Sequence, residues 1–211
     1  MSLPVLTADV QGDPRAMVLV LHGGKPRSDR AIGSTSASWR RAAWLQRAIV
    51  PRAHEAGVGV WLARYRVRGW NGGAGPVSDA RWALDELRSA HGDVPVVLLG
   101  HSMGARVAVH VADDPSVVGV VGLAPWWSAD DPVSTLAGRA LRAAHGRRDR
   151  ITSFRETGRY VDRARPVAAS VEVHDMGGLG HYMLAGSRRW HDVAVGSVLE
   201  VLAAQVPRAG R

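Results

Sequence analysis

The residues best suited to carry chemistry in this sequence lie in the segment Gly100-His101-Ser102-Met103-Gly104. The segment fits the pattern G-x-S-x-G, in which a sharp turn exposes a serine hydroxyl that can act as a nucleophile. Gly100 and Gly104, two positions before and after Ser102, have no side chain that could collide with the adjoining strand and helix. The turn also presents Ser102 at a helix N-terminus, where an oxyanion is favoured. The pattern therefore predicts nucleophilic catalysis by Ser102.

The elements that would position Ser102 are a short apolar strand before the motif and a helix after it. Similar strands and helices alternate along nearly the whole chain, and an irregular Arg- and Gly-rich loop covers Arg64–Pro76. Apolar runs and helical spacing predict strands at Leu3–Val10, Ala16–Leu21, Val58–Leu62, Val94–Leu99, Val117–Leu123, Arg139–Ala144 and Val167–Val173. They predict helices at Ser38–Ala56, Ser78–Ala90, Met103–Val111, Phe154–Ala164 and His191–Leu202, with a start near Met183 as the alternative for the last helix. We expect Ser38 to cap the first helix and Pro51 to split or kink it.

This order predicts an α/β fold with a mostly parallel sheet and helices on both of its faces, because parallel strands need crossover connections. Right-handed crossovers place the carboxyl ends of the parallel strands on one edge, where open α/β sheets hold their sites. No repeat or linker interrupts the chain, so we predict a single domain over residues 1–211. The segment between Leu123 and Arg139 is short, which predicts no cap domain and an open site.

Composition excludes several other functions. The 211 residues contain no cysteine, which rules out disulfides, thiolate zinc sites and a cysteine nucleophile. The net charge of +8 is almost entirely arginine spread along the chain, and Lys25 is the only lysine. Without a basic block that includes aromatic residues, we expect no nucleic-acid partner. The sequence has no signal segment and no apolar run of membrane length, so we expect a cytoplasmic chain without a membrane partner. It has no metal-ligand motif, so we expect no metal.

Four motifs make the chain resemble the α/β-hydrolase superfamily, particularly its small, cap-less, dienelactone-hydrolase-like members. They are His22-Gly23-Gly24, Gly100–Gly104, the HGxxD-like segment His145–Asp149, and Gly180-His181. The resemblance extends from about Ala16 to the C-terminus. It implies a triad in the chain order Ser102, Asp149 and His181, each of which follows a predicted strand.

In this triad, His181 is the general base for Ser102, and Asp149 orients and stabilises the imidazole. Asp149 lies in an arginine-rich loop after a weak strand, so Asp130 and Asp131, which follow the preceding strand, remain alternatives for the acid. We interpret His22 and His101 as structural neighbours rather than bases. His174 is expected within the last strand.

The remaining site predictions concern the oxyanion hole and the pocket. Met103 supplies one backbone N–H, and the resemblance implies the second from Gly24, with Lys25 as the next candidate. Trp126 and Trp127 follow a strand at the same edge and are candidates for an apolar substrate wall. The arginines of the Arg64–Arg68 segment either bind an anionic substrate group or are solvated.

These residues predict a hydrolase that cleaves a small-molecule carboxylic ester through an acyl-enzyme and needs no cofactor. A thioester substrate, or acyl transfer, on the same triad is the alternative, which arginines at the pocket entrance would favour. A non-catalytic α/β scaffold that binds a ligand is a further alternative of a different class. The sequence makes no prediction of oligomeric state.

Overall fold

The computed structural model describes residues 3–205, and seven strands within this range form one sheet. The sheet order is β1-β3-β2-β4-β5-β6-β7, with β1 antiparallel to β3 and all other neighbours parallel. The strands are β1 Val5–Asp9, β2 Ala16–Leu21, β3 Val58–Arg64, β4 Val96–His101, β5 Val117–Leu123, β6 Ala140–His145 and β7 Ser170–Asp175. The predicted mostly parallel sheet is therefore confirmed, with its antiparallel strand at one edge.

Five helices connect and cover the strands: α1 Ala37–Glu55, α2 Ala74–His91, α3 Met103–His110, α4 Phe154–Ala164 and α5 Ser187–Ala203. Two apolar cores lie on opposite faces of the sheet. One contains buried residues of α2, α3 and α4, and the other contains buried residues of α1 and α5. Helices on both faces were predicted, and the short connection between β5 and β6 holds only a three-residue 3-10 turn and no cap domain.

The central strands are buried on both faces, which explains their continuous apolar sequences. Every residue of β2 and β4 is buried, and their apolar side chains alternate between the two cores. Fully covered parallel strands need this composition because neither face meets water. Their carboxyl ends lie side by side, with Leu21 of β2 paired to Gly100 of β4. The segment that follows β2 is thereby brought next to Ser102.

Several predicted element boundaries were wrong. Ser36, not Ser38, is the N-cap of α1. Pro51 lies inside α1 and does not split it. Helix α2 begins at Ala74, inside the predicted loop, because Gly73 adopts a positive φ of 94° and Pro76 lies in the first turn, where proline is tolerated. Strand β7 begins at Ser170 rather than Val167.

None of the helices in the described range, residues 3–205, is long and apolar enough to span a bilayer.

The close packing of α3 against β2 gives a first testable prediction. A Cβ atom on Gly104 would collide with the Leu21 carbonyl oxygen, whereas one on Gly196 in α5 would meet nothing within 4 Å. We expect Gly104→Ala to lower the free energy of unfolding by about 3 kcal/mol through overpacking. Gly196→Ala should raise it by about 0.5–1 kcal/mol, since alanine is the better helix residue. Urea denaturation measures both, and equal effects of the two variants would contradict the packing described here.

Candidate active site

Ser102 lies at a tight turn between β4 and α3. Its backbone is strained, with φ 56° and ψ −118°, and its N–H donates to the Leu123 carbonyl at 3.0 Å. A Cβ on Gly100 would collide with the backbone of Ala105. The two motif glycines are therefore required by contacts with α3 and β2, and the turn holds the Ser102 side chain at the carboxyl edge of the sheet.

His181 comes from the loop between β7 and α5, and its Nε2 lies 3.0 Å from Ser102 Oγ. His101 Nε2–H donates to the His181 carbonyl at 2.9 Å and thereby fixes this loop beside the serine turn. Burial is the main cause that lowers the pKa of His101 to about 3, so its ring is neutral at pH 7. The interpretation of His101 as a structural neighbour agrees with this geometry.

Asp149 lies in the loop after β6, with its carboxylate fully buried. Its Oδ2 accepts from His181 Nδ1–H at 2.7 Å and lies 3.2 Å from His145 Nε2. The Thr152 hydroxyl donates to it at 2.9 Å, and the backbone N–H groups of Ile151 and Thr152 donate to Oδ1 at 2.7 and 2.9 Å. Burial alone would raise the pKa of Asp149. These hydrogen bonds, with those from His145 and His181 foremost, outweigh burial and hold the pKa well below its usual value.

The loops that carry Asp149 and His181 are joined by backbone contacts. Met176 N–H donates to the His145 carbonyl at 2.9 Å. Gly146 is in such close contact with the Leu179 carbonyl that any side chain at position 146 would collide with it. The order of the strands therefore brings together three residues that lie far apart in the sequence, and this packing sets their spacing.

The alternative acids lie elsewhere. Asp131 is 1% exposed and accepts from Arg106 Nε at 2.8 Å, from His110 Nε2 at 3.0 Å and from the Ser128 N–H at 2.8 Å. Asp130 is exposed. Neither carboxylate bonds to His181, and Asp149 is the acid that the structure brings to the imidazole.

The Gly23-Gly24 peptide is oriented by His22. Because the Tyr65 N–H can only donate, His22 Nε2 accepts from it at 3.2 Å, and Nδ1 carries the proton and donates to the Gly23 carbonyl at 2.7 Å. Burial is the main cause that lowers the pKa of His22 to about 4, consistent with this neutral form. In a trans peptide the N–H points away from the C=O, so His22 directs the Gly24 N–H away from its own ring.

The two predicted oxyanion donors differ from Lys25 in their hydrogen bonding. Lys25 N–H already donates to the Arg68 carbonyl at 3.0 Å, whereas the Gly24 N–H has no partner within residues 3–205. Met103 is the first residue of α3, so its N–H has no acceptor inside the helix. Gly24 and Ser102 line the same cavity. Gly24 and Met103 therefore remain the candidate oxyanion donors, whereas the Lys25 N–H is already engaged with Arg68.

The cavity beside Ser102 has a volume of about 480 Å³. Its walls come from the loops after β2, β3, β6 and β7, from the end of β4 with the serine turn, and from the first turns of α1. They comprise Gly23, Gly24, Lys25, Pro26, Ala37, Ser38, Arg41, Arg68, His101, Ser102, Ile151, His181 and Tyr182. Sequence reasoning missed Ser38, Arg41, Ile151 and Tyr182. The position of Tyr182, directly after the predicted base, was a signal that could have indicated it.

The predicted tryptophan wall needs correction. Trp127 is 3% exposed, donates through Nε1 to the Ala105 carbonyl at 2.9 Å and packs on the Tyr160 ring 4.5 Å away. It belongs to the core because its side chain turns beneath α3. Trp126 lines a different cavity, together with Trp70, and not the one beside Ser102. Neither tryptophan forms the wall of the serine cavity.

The two buried histidines give a second testable prediction. An unfolded histidine has a pKa near 6.5, so below that pH the unfolded chain binds protons that neutral His22 and His101 do not. Their contribution to stability is complete above pH 6.5 and is lost as the pH falls toward 4. We expect about 2 kcal/mol less unfolding free energy per histidine at pH 5 than at pH 7. Urea denaturation at both pH values measures this loss. His101→Gln should reduce it, and equal stability of the wild type at both values would contradict the prediction.

Comparison with known proteins gives a family match and a common fold. The family model described as serine aminopeptidase, S33, matches residues 64–148, a segment that includes Ser102. No curated protein matches the chain. Similar solved structures include an alpha-beta serine hydrolase homologue from Coxiella burnetii, with 17% identity, a TM-score of 0.71, and coverage of 92% of this chain and 90% of that one.

Two further structures extend the likeness. A serine hydrolase without a lid from Xanthomonas campestris is 16% identical, with a TM-score of 0.69 and coverage of 98% of this chain and 91% of that chain. Est1E from Butyrivibrio proteoclasticus, solved with ferulic acid bound, is 11% identical, with a TM-score of 0.70 and coverage of 95% and 96%. At these identities, the likeness establishes a shared fold and no residue role.

Proposed function

We propose that this chain, a serine hydrolase of the α/β-hydrolase superfamily, cleaves small-molecule carboxylic esters with Ser102, His181 and Asp149 as its catalytic triad. The observation that carries the proposal is the continuous hydrogen-bonded path from Ser102 Oγ to His181 Nε2, at 3.0 Å, and from His181 Nδ1 to Asp149, at 2.7 Å. Nucleophile, base and orienting acid are thus within the contact distances that this chemistry requires.

In the acylation half-reaction, Ser102 Oγ attacks the ester carbonyl carbon and its proton passes to His181 Nε2. The resulting oxyanion accepts hydrogen bonds from the N–H groups of Met103 and Gly24. When the intermediate collapses, His181 gives its proton to the leaving alkoxide, and the alcohol departs. Asp149 remains ionised, because its pKa is well below its usual value, and stabilises the imidazolium that forms between these steps.

In the deacylation half-reaction, His181 takes a proton from water, whose oxygen attacks the acyl carbon. Collapse of the second tetrahedral intermediate breaks the bond to Ser102 Oγ, and His181 returns the proton to the serine. The carboxylic acid is released and the enzyme is restored. Each step uses only side chains and N–H groups of this chain and the water that is consumed.

The name of the matched family indicates peptide substrates for its members, but the cavity is poorly suited to an aminopeptidase substrate. An aminopeptidase has to hold a substrate ammonium group, for which a carboxylate is the natural partner. Among the residues of the described range that line the cavity, none is Asp or Glu, and three are cationic: Lys25, Arg41 and Arg68. This charge distribution opposes binding of a free amino terminus.

A substrate panel tests the reaction class. The kcat/KM values of p-nitrophenyl esters, coenzyme A thioesters of the same acyl groups and amino-acid p-nitroanilides are measured against Ser102→Ala as the blank. We expect the esters to be the best substrates. A preference for thioesters would identify the same triad as a thioesterase, and acyl release that requires an added acceptor would identify an acyltransferase. No turnover together with no labelling by a fluorophosphonate would favour the binding scaffold.

A further inference from the structure

The cavity beside Ser102 is lined by three cationic side chains and by no Asp or Glu of the described residues. Lys25 follows β2, Arg68 follows β3, and Arg41 lies in the second turn of α1, so three separate segments each contribute one positive charge. The hydrogen bond from Lys25 N–H to the Arg68 carbonyl, at 3.0 Å, fastens two of these segments together. The three charges therefore surround one space that also contains the nucleophile.

The three cations that line the cavity have no acidic partner in the described part of the chain. Within residues 3–205, the side chains of Lys25, Arg41 and Arg68 form no ion pair and no hydrogen bond. By contrast, Arg66 pairs with Asp79 at 2.6 Å, and Arg106 pairs with Asp131 at 2.8 Å. Three like charges around one cavity without counter-charges repel one another. Such an arrangement becomes favourable when an anion enters.

The first turns of α1 add two unpartnered polar atoms on the same wall. Ser38 Oγ and Arg41 Nε are both shielded from solvent and have no hydrogen-bond partner. The two residues are three positions apart, on one face of the helix. The Arg41 guanidinium stacks on the Tyr182 ring, with its carbon 4.8 Å from the ring centroid, which keeps it beside the loop of His181. A buried polar group without a hydrogen-bond partner costs free energy. The oxygens of a bound anion would act as partners for both groups.

The electrostatics of α1 point in the same direction. The first turn of α1 contains no acidic residue, so its amino end is not neutralised by its own sequence. Burial is the main cause that lowers the pKa of Arg41, which reflects the cost of keeping its charge without a partner.

We infer that the substrate carries an anionic group, a carboxylate or a phosphate, which binds Arg41 together with Lys25, Arg68 and Ser38 while the scissile carbonyl lies at Ser102. This inference rests on the proposed function and adds the charge class of the substrate. The anion stands either on the acyl side, as in a dicarboxylic hemiester, or on the leaving group, as in a coenzyme A thioester. Arginine presents a planar donor set that suits both groups.

Two matched substrate pairs test the inference and separate the two sources. The acyl-side pair is p-nitrophenyl hemiglutarate and its neutral methyl ester, and the leaving-group pair is butyryl-coenzyme A and S-butyryl-pantetheine. We expect the anionic member of one pair to have the higher kcat/KM, by roughly tenfold to a hundredfold, and the ratio to decrease as salt is added. Equal kcat/KM values within both pairs would overturn the inference and leave the proposed function intact.

Variants of two neighbouring arginines identify the residue responsible. Arg41→Gln should reduce the anionic-to-neutral ratio to near one, whereas Arg40→Gln, at an exposed position outside this cavity, should keep the wild-type ratio. If Arg41→Gln keeps the ratio, or if both variants lose it equally, the assignment to Arg41 is wrong. Because a ratio of two substrates is measured, a general loss of folding or of catalysis does not imitate the expected result.

A binding measurement covers the case in which no ester is turned over, which would refute the proposed function. Titration calorimetry then compares monomethyl glutarate and inorganic phosphate binding to wild type and Arg41→Gln. Binding that the variant loses would support the anion site independently of catalysis. Absence of binding of both anions to wild type at millimolar concentration would overturn it.

Discussion

Ser102→Ala is expected to lower kcat for the best ester by about 10⁴-fold to 10⁶-fold. The substitution removes the oxygen that attacks the carbonyl. It leaves the backbone N–H groups of Gly24 and Met103 in place, so the residual rate reflects only binding and oxyanion stabilisation. Steady-state kinetics on purified protein measure the loss.

The control for this variant is Ser89→Ala, which changes an exposed serine of α2 in the same stretch of sequence. It should retain the wild-type kcat. Both variants should unfold at nearly the wild-type temperature, because neither removes a buried apolar group. Retention of more than about 1% of the wild-type kcat by Ser102→Ala would contradict the role given to this serine.

Asp149→Asn is expected to lower kcat by about 10⁴-fold, and Asp131→Asn is expected to leave it nearly unchanged. An asparagine at position 149 cannot stabilise the imidazolium and allows the wrong tautomer of His181. The Asp131 carboxylate instead bonds to Arg106 and His110, away from the imidazole. The comparison therefore separates the acid that His181 contacts from the alternative acid that the sequence left open.

Asp131→Asn should lose stability although it keeps its activity. Asp131→Asn breaks a buried ion pair and should lower the free energy of unfolding by about 3 kcal/mol. Kinetics and urea denaturation of both variants together make the test. If Asp131→Asn lost kcat as severely as Asp149→Asn while remaining folded, the assignment of the acid would be wrong.

The sequence predicted the bounds of the central strands β2 and β5 more accurately than those of the edge strand β7, for a physical reason. Strands β2 and β5 have the bounds that their apolar runs predicted, because strands buried on both faces are apolar throughout. Strand β7 lies at the edge and is partly exposed along its length. The apolar residues before Ser170 placed the predicted start of the strand too early. The observed strand includes Glu172 and His174 and has no continuous apolar run that would mark its bounds.

The proximity of Ser102, Asp149 and His181 could be predicted from the sequence, because each residue follows a strand whose carboxyl end lies on the same edge of the sheet. The pocket could not, since the direction of a side chain in a loop depends on packing that periodicity does not encode. Trp127 turns into the core to donate to Ala105, and Arg41 faces the cavity although its sequence position is typical of a solvated helix face.

The most direct test of the central claim is to identify the residue that a fluorophosphonate modifies. The reagent reacts with an activated serine, and mass spectrometry after trypsin digestion locates the adduct. We predict one adduct in the peptide from Ser89 to Arg106, at Ser102, formed rapidly by wild type and lost in His181→Ala. An adduct at another residue, or none under conditions in which the protein is folded, would contradict the account.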